Sequence, residues 1–225
     1  NVNGAGSQGI YIERGATLTN TGQINVNGDG KIGVFIGMGS SFVNTAGITI
    51  SSGGTTVFDG GGTLANIGDI VIDGPTATVN GITINNTGKI EITGSLDFTG
   101  NILLETTPGK AGTINVGGLS GTGHIILSPD ATLGNNYDMH HVQLLGGLSN
   151  PETETIRVTS QSVLFIAEKY FDKDLNSYVL TLTRIPYAQM LKNTEAVEFG
   201  KGLDELYTKG PSGSEMDMFD ALKSV

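Results

Sequence analysis

Residues 66–72, Asn66-Ile67-Gly68-Asp69-Ile70-Val71-Ile72, have three close copies in the chain. They are Asn20-Thr21-Gly22-Gln23-Ile24-Asn25-Val26, Asn44-Thr45-Ala46-Gly47-Ile48-Thr49-Ile50 and Asn86-Thr87-Gly88-Lys89-Ile90-Glu91-Ile92. Successive copies are offset by 24, 22 and 20 residues. At the offset of 24 the match spreads outward: Gly9, Ile10, Tyr11, Ile12, Gly15 and Leu18 fall on Gly33, Val34, Phe35, Ile36, Gly39 and Phe42. A period of this length means stacked coils, a solenoid.

The period inside each copy decides the kind of coil. Ile24/Val26, Ile48/Ile50, Ile70/Ile72, Ile82/Ile84 and Ile90/Ile92 alternate with mostly polar residues, the two-residue period of strands. Gly-Asp-Gly, Ser-Ser-Gly-Gly, Gly-Gly-Gly and Asp-Gly-Pro punctuate these short strands with turn chemistry. Each coil is therefore expected to hold two or three strands, each pairing in parallel with its copy about 4.8 Å along the axis. The reading is an all-β, parallel β-helix, with a right-handed winding as the expected hand. Asn20, Asn44, Asn66 and Asn86 fall at one corner of every coil. Asn tolerates corner backbone and satisfies it locally, so these four are read as structural corner residues. Either they face solvent as turn residues or they bond to one another as an internal ladder.

After Asn86 the repeat decays. Leu96/Phe98, Ile102/Leu104, Ile114/Val116 and Ile125/Leu127 keep the alternation, and Gly117–Gly123 is expected as another tight corner. About 125 repeat residues at this period give roughly six coils, a shaft on the order of 30 Å. The texture then changes near Gly146–Pro151. Residues 1–150 carry 10 acids and 4 bases, whereas 151–225 carry 12 and 8. Two longer strands, Ser162–Tyr170 and Ser177–Arg184, flank an Asp172–Asn176 loop and read as a hairpin laid over the last coil. Phe165, Tyr170, Tyr178, Leu180 and Leu182 are its candidate packing residues. From Pro186 the period becomes helical: Tyr187, Met190, Leu191, Thr194 and Val197 share one face. Gly200-Lys201-Gly202 is expected to break or bend that helix before Leu203, Leu206 and Tyr207, and a second helix follows Ser214. The expected divisions are thus 1–145 β-helix, 146–186 cap and 187–225 helical linker.

The net charge of −10, with only Arg14, Lys31, Lys89 and Lys110 in the first 150 residues, argues against nucleic acid. Cysteine is absent, which fits a chain kept unfolded during export. With no initiator Met, signal peptide or long apolar run, the chain reads as an excised fragment whose first coil would be covered by upstream coils in its parent.

Enzymes on this fold align carboxylates from successive coils, but stepping by the offsets puts Asp69 with Lys89 and Gln23, and Asp73 with Thr93 and Asn27. No two carboxylates align, so no enzyme, cofactor or metal is expected. Asn25-x-Asn27-x-Asp29-Gly30 opens like an EF-hand but has Ile36 where the bidentate Glu belongs. His140-His141 is read as a loop pair remote from His124.

Taken together, the Asn-x-Gly-x-Ile-x-Ile phrases, the Gly117-Gly118-Leu119-Ser120-Gly121-Thr122-Gly123 corner, the hairpin ending Leu182-Thr183-Arg184-Ile185-Pro186-Tyr187 and the helices beyond it resemble the passenger end of a type Va autotransporter. Tyr187-Ala188-Gln189-Met190-Leu191-Lys192-Asn193-Thr194 is most similar to the large fusobacterial outer-membrane adhesins. The resemblance implies a passenger secreted through its own C-terminal β-barrel, with residues 146–186 as the autochaperone and 187–225 leading to a barrel not contained in this sequence. It implies a monomeric stalk on the cell surface, at the outer membrane. Its parent would contact a host-cell or partner-bacterium surface protein or glycan in adhesion and coaggregation. Against this stands a second reading, in which exposed Thr, Asn and Asp bind a glycan or protein directly.

Overall fold

Alternating side chains in each short strand point to opposite sides, so a coil closes only if every strand sends its apolar set to a common interior. The computed structural model does this with three strand faces per winding; it describes residues 2–3, 8–28, 32–104, 106–107, 110–128, 139–145, 155–174 and 177–223. Face A stacks Val2–Asn3, Ile24–Gly28, Gly47–Ser52 and Asp69–Asp73 in parallel. Face B stacks Gln8–Ile12, Ile32–Ile36, Thr55–Gly60 and Thr76–Asn80. Lys89–Phe98 and Thr113–Gly121 each run around the corner from A to B, with a shift of register between Ile92 and Ser95. Face C stacks Thr17–Asn20, Ser41–Asn44, Thr63–Asn66, Thr83–Asn86, Asn101–Leu104, His124–Leu127 and Arg157–Ser160. The protein is a parallel β-solenoid of about five turns between Ile24 and Leu127, closed by an antiparallel hairpin and followed by three short helices.

The interior is a set of apolar columns. Ile24, Ile48, Ile70, Ile90 and Ile114 lie in register on face A, and Phe42, Leu64, Ile84, Ile102 and Ile125 on face C. Each buried aliphatic side chain contributes about 1.5–3 kcal/mol, and no layer has this benefit until its neighbour is present. The corner between faces C and A is tight. A Cβ on Gly68 would lie 1.9 Å from the Ala46 carbonyl oxygen, and one on Gly88 2.0 Å from that of Gly68. At Gly68 and Gly88 the glycine therefore records the close approach of one coil's backbone to the next, whereas Gly22 has open space around it.

Several sequence expectations are corrected here. Gly117–Gly123 is not one corner: the strand continues to Gly121, whose φ of 106° turns the chain. The first hairpin strand is Phe165–Asp172 rather than Ser162–Tyr170. Ser162 forms a turn in which its hydroxyl accepts from the Leu164 N–H at 3.3 Å. The hairpin's second strand, Ser177–Arg184, also pairs antiparallel with Met139–Leu145, which in turn is parallel to Thr113–Gly121. His140 and His141 thus lie on a strand, not in a loop, because that segment forms the hydrogen-bonded bridge between solenoid and cap. The solenoid and the cap interlock: the parallel stack on face C reaches Arg157–Ser160 while the antiparallel sheet begins at Met139.

The helices are α1 (Tyr187–Met190), α2 (Val197–Thr208) and α3 (Ser214–Lys223). Gly200 and Gly202 do not break a helix; α2 runs through both. A Cβ on Gly200 would come within 2.9 Å of the Ala188 backbone, so Gly200 lets α1 cross α2 closely. The interruption falls instead at Leu191–Ala196, where the Thr194 hydroxyl bonds to the Leu191 carbonyl oxygen at 2.9 Å and accepts from the Ala196 N–H at 3.2 Å.

Candidate functional site

The four recurrent asparagines stand in register at the C-to-A corner, one per coil, on the inner side. Asn44, Asn66 and Asn86 have no exposed surface. Asn20 Nδ2 donates to Asn44 Oδ1, Asn44 Nδ2 to Asn66 Oδ1 and Asn66 Nδ2 to Asn86 Oδ1, each at 2.8 Å. The same amide nitrogens reach main-chain carbonyls of the next coil, at Gly47 (3.4 Å), Asp69 (3.4 Å) and Lys89 (3.3 Å). Of the two arrangements open to these residues, the ladder is the one present. Asn suits it because one side chain both donates and accepts; Asp would only accept.

The ladder has a direction and an end. Every amide donates toward the C-terminal side, and the last, Asn86, donates to the Thr113 carbonyl at 3.0 Å. Leu104 and Leu127 continue the column below it. The chain detours between these rungs through the small antiparallel pair Thr106–Thr107 and Lys110–Ala111, which brings Thr113 to the position of acceptor. Nothing in the local spacing signals this stop except the replacement of Asn by Leu104.

At the other end of the molecule, Phe165, Leu180 and Leu182 are buried on the face of the cap turned to the core, whereas Tyr170 is exposed on the opposite face. Tyr178 pairs through its backbone with Phe171 and Leu144; its side chain lies outside the described residues. The cap is joined to the helical tail by a cluster that sequence reading did not find. Arg184 pairs with Asp204 at 2.9 Å and lies over the Tyr207 ring, 4.2 Å from its centroid. The Asp204 carboxylate also accepts from the Tyr187 and Ala188 N–H groups, both at 3.0 Å, and so caps α1 from α2. Phe219 of α3 completes the cluster, edge-on to Tyr207 at 5.2 Å. Burial pushes the Asp204 carboxyl up, but the hydrogen bonds from Ala188, Arg184 and Tyr187 together with the Arg184 charge outweigh it and hold it below its ordinary value. These partners are 16 to 20 residues from Asp204, so no local motif announces them.

On the outer surface, Asp69 lies in register with Lys89 and Gly47, and Asp73 with Ser51. Thr93 Oγ1 donates to Asp73 Oδ1 at 3.2 Å. His124 bonds through Nε2 to Thr159 Oγ1 at 2.7 Å, and burial, with the neighbouring Arg157 charge, lowers its pKa. The side chains of His140 and His141 lie outside the described residues. Among those that are described, no group of three His, Cys, Asp or Glu residues is placed to hold a metal, and no helix is long and apolar enough to cross a membrane, which says nothing of a β-barrel. Comparison with family models, with curated proteins and with solved structures finds no match to this chain.

Proposed function

We propose that this chain is the membrane-proximal part of a surface adhesin of the autotransporter kind, a β-helical stalk whose C-terminal cap nucleates folding of the passenger on secretion. The observation that carries the reading is the closure of the solenoid at its C-terminal side. At its C-terminal side, the last rungs are bound to an antiparallel sheet, Met139–Leu145, Phe165–Asp172 and Ser177–Arg184, which carries its own buried residues. A parallel coil gains little until a neighbour exists, so starting the stack is slow and extending it is easy. A self-paired hairpin of local contacts supplies the first surface. The stalk would hold a more distal region that contacts a protein or glycan on a host cell or partner bacterium, and would continue through residues 187–225 to its own barrel at the outer membrane.

The decisive experiment compares refolding of the full chain with that of a chain lacking residues 146–225. Nucleation by the cap requires slower and less complete recovery of the truncated form; equal rates and yields would eliminate it. A glycan array and a partner-cell pull-down with this chain alone separate a stalk, which gives no signal, from a direct binding module.

A further inference from the structure

An Asn-Gly or Asp-Gly bond rearranges when the glycine nitrogen swings onto the side-chain carbonyl carbon, so a fold that pins either partner suppresses the reaction. Four such pairs lie wholly within the described residues, and they are held differently. Asn27–Gly28 is inside face A, with Asn27 paired to Ser51 and Gly28 to Ser52. At Asp73–Gly74, Thr93 holds both partners: its hydroxyl accepts from the Gly74 N–H at 3.1 Å and donates to Asp73 Oδ1 at 3.2 Å. At Asp59–Gly60 the Gly60 N–H donates to Asp59 Oδ1 at 2.9 Å, and a carboxylate is a weaker electrophile than an amide. Asn80–Gly81 has none of these restraints. Asn80 is the last residue of its strand, half-buried, and its side-chain amide makes no hydrogen bond to a described residue. Gly81 is exposed and turns the chain from face B toward face C with a φ of 70°, in the left-handed region that glycine enters without strain.

We propose that Asn80 is a self-modification site, converted in the folded protein to aspartate and isoaspartate by its own backbone. The Gly81 nitrogen gives its proton to solvent and bonds to Asn80 Cγ; the Cγ–Nδ2 bond breaks, and the nitrogen takes up a proton and leaves as ammonia. Water then opens the cyclic imide, at Cγ to give aspartate or at the main-chain carbonyl to give an isoaspartyl link. The balance is one water in and one ammonia out. Either product changes face B. A carboxylate at position 80 stands in register with Asp59 on the rung before it, a like-charge pair across neighbouring strands. The isoaspartyl link adds a methylene to the main chain next to Gly81, where a Cβ would lie 2.7 Å from the Gly60 carbonyl oxygen. That form is also a methyl acceptor for the isoaspartyl methyltransferase class of enzyme, with S-adenosylmethionine as donor. The proposal rests on the geometry of this corner and not on the adhesin reading, so the refolding comparison above does not bear on it.

The full chain is aged for several weeks at mildly alkaline pH, digested and mapped by mass spectrometry, with and without methylation by an isoaspartyl methyltransferase. Conversion at Asn80 should run at least about tenfold faster than at Asn27 in the folded protein. The peptide spanning residue 80 should take up methyl groups, and Asn80→Gln, whose ring closure needs one more atom, should abolish that uptake. A parallel sample is aged in urea, where no rung holds either pair, and the two asparagines should there convert at similar rates. Conversion of Asn27 in the folded chain as fast as that of Asn80, or no methyl uptake at residue 80, would overturn the proposal. So would a preference for Asn80 that persists undiminished in urea, since that assigns the selectivity to local sequence and not to the fold.

Discussion

Replacing Asn66 by Leu tests whether the amide ladder contributes to stability through its hydrogen bonds or merely occupies a corner. Asn66 has no exposed surface, accepts from Asn44 Nδ2 and donates to Asn86 Oδ1. Leu fits the column, because Leu104 and Leu127 occupy the same register two and three rungs further on. The steric cost is therefore small, and two stranded groups decide the outcome. Asn86 Oδ1 loses its donor, and Asn44 Nδ2 is left with the carbonyl oxygens of Ala46 at 3.2 Å and Asp69 at 3.4 Å. A buried polar group without its partner costs about 1–3 kcal/mol, so the net loss should be about 2–4 kcal/mol after the apolar gain of Leu. Adding Asn86→Leu removes the stranded oxygen, so the double variant should lose about 1–2 kcal/mol less than the sum of the singles. Urea unfolding of the wild type, both singles and the double, compared at a common m-value, measures this. Strict additivity, or an Asn66→Leu protein as stable as the wild type, would refute the reasoning.

Thr56 lies in register with Ile32 and Ala77, and its fully buried hydroxyl has no hydrogen-bond partner among the described residues; Thr56→Val should raise stability by about 1 kcal/mol in the same unfolding assay. Gly88→Ala should cost about 3 kcal/mol, since its Cβ would meet the Gly68 carbonyl oxygen at 2.0 Å, whereas Gly22→Ala, with open space around it, should be near neutral. Because the folded Asp204 carboxyl lies below its ordinary value, docking of α1 and α2 is fully stabilised above the ordinary carboxylate range near pH 4, and that stabilisation is lost as pH falls through the folded value. Protection of the two helices against amide hydrogen exchange, taken relative to the intrinsic rate at each pH, should therefore fall on acidification, and Asp204→Asn should show lower protection at neutral pH with little further change in acid.

The solenoid was legible because it is periodic: each Ile-x-Ile pair states which side is inside, and repetition of the phrase states what lies above and below it. The ladder was legible only as one of two arrangements. A corner Asn is equally acceptable facing water, and its choice of the interior depends on a copy standing one rung away. Gly200 was misread because a glycine within a helical pattern looks like a breaker until the Ala188 backbone lies against it. The cluster of Arg184 with Asp204 and Tyr207 was missed because it joins the end of a strand to a helix far along the chain.

What the sequence determined by itself was everything set by repetition: strands, parallel stacking, the apolar columns and the corner at which each Asn sits. Tertiary structure alone decided where the amides point, where their chain ends at Thr113, how Met139–Leu145 ties the solenoid to the hairpin, and which carboxylate caps α1. Periodic features are specified many times over by neighbours close in sequence. Junctions are specified once, by groups that meet only after the backbone has brought distant segments within a few ångströms.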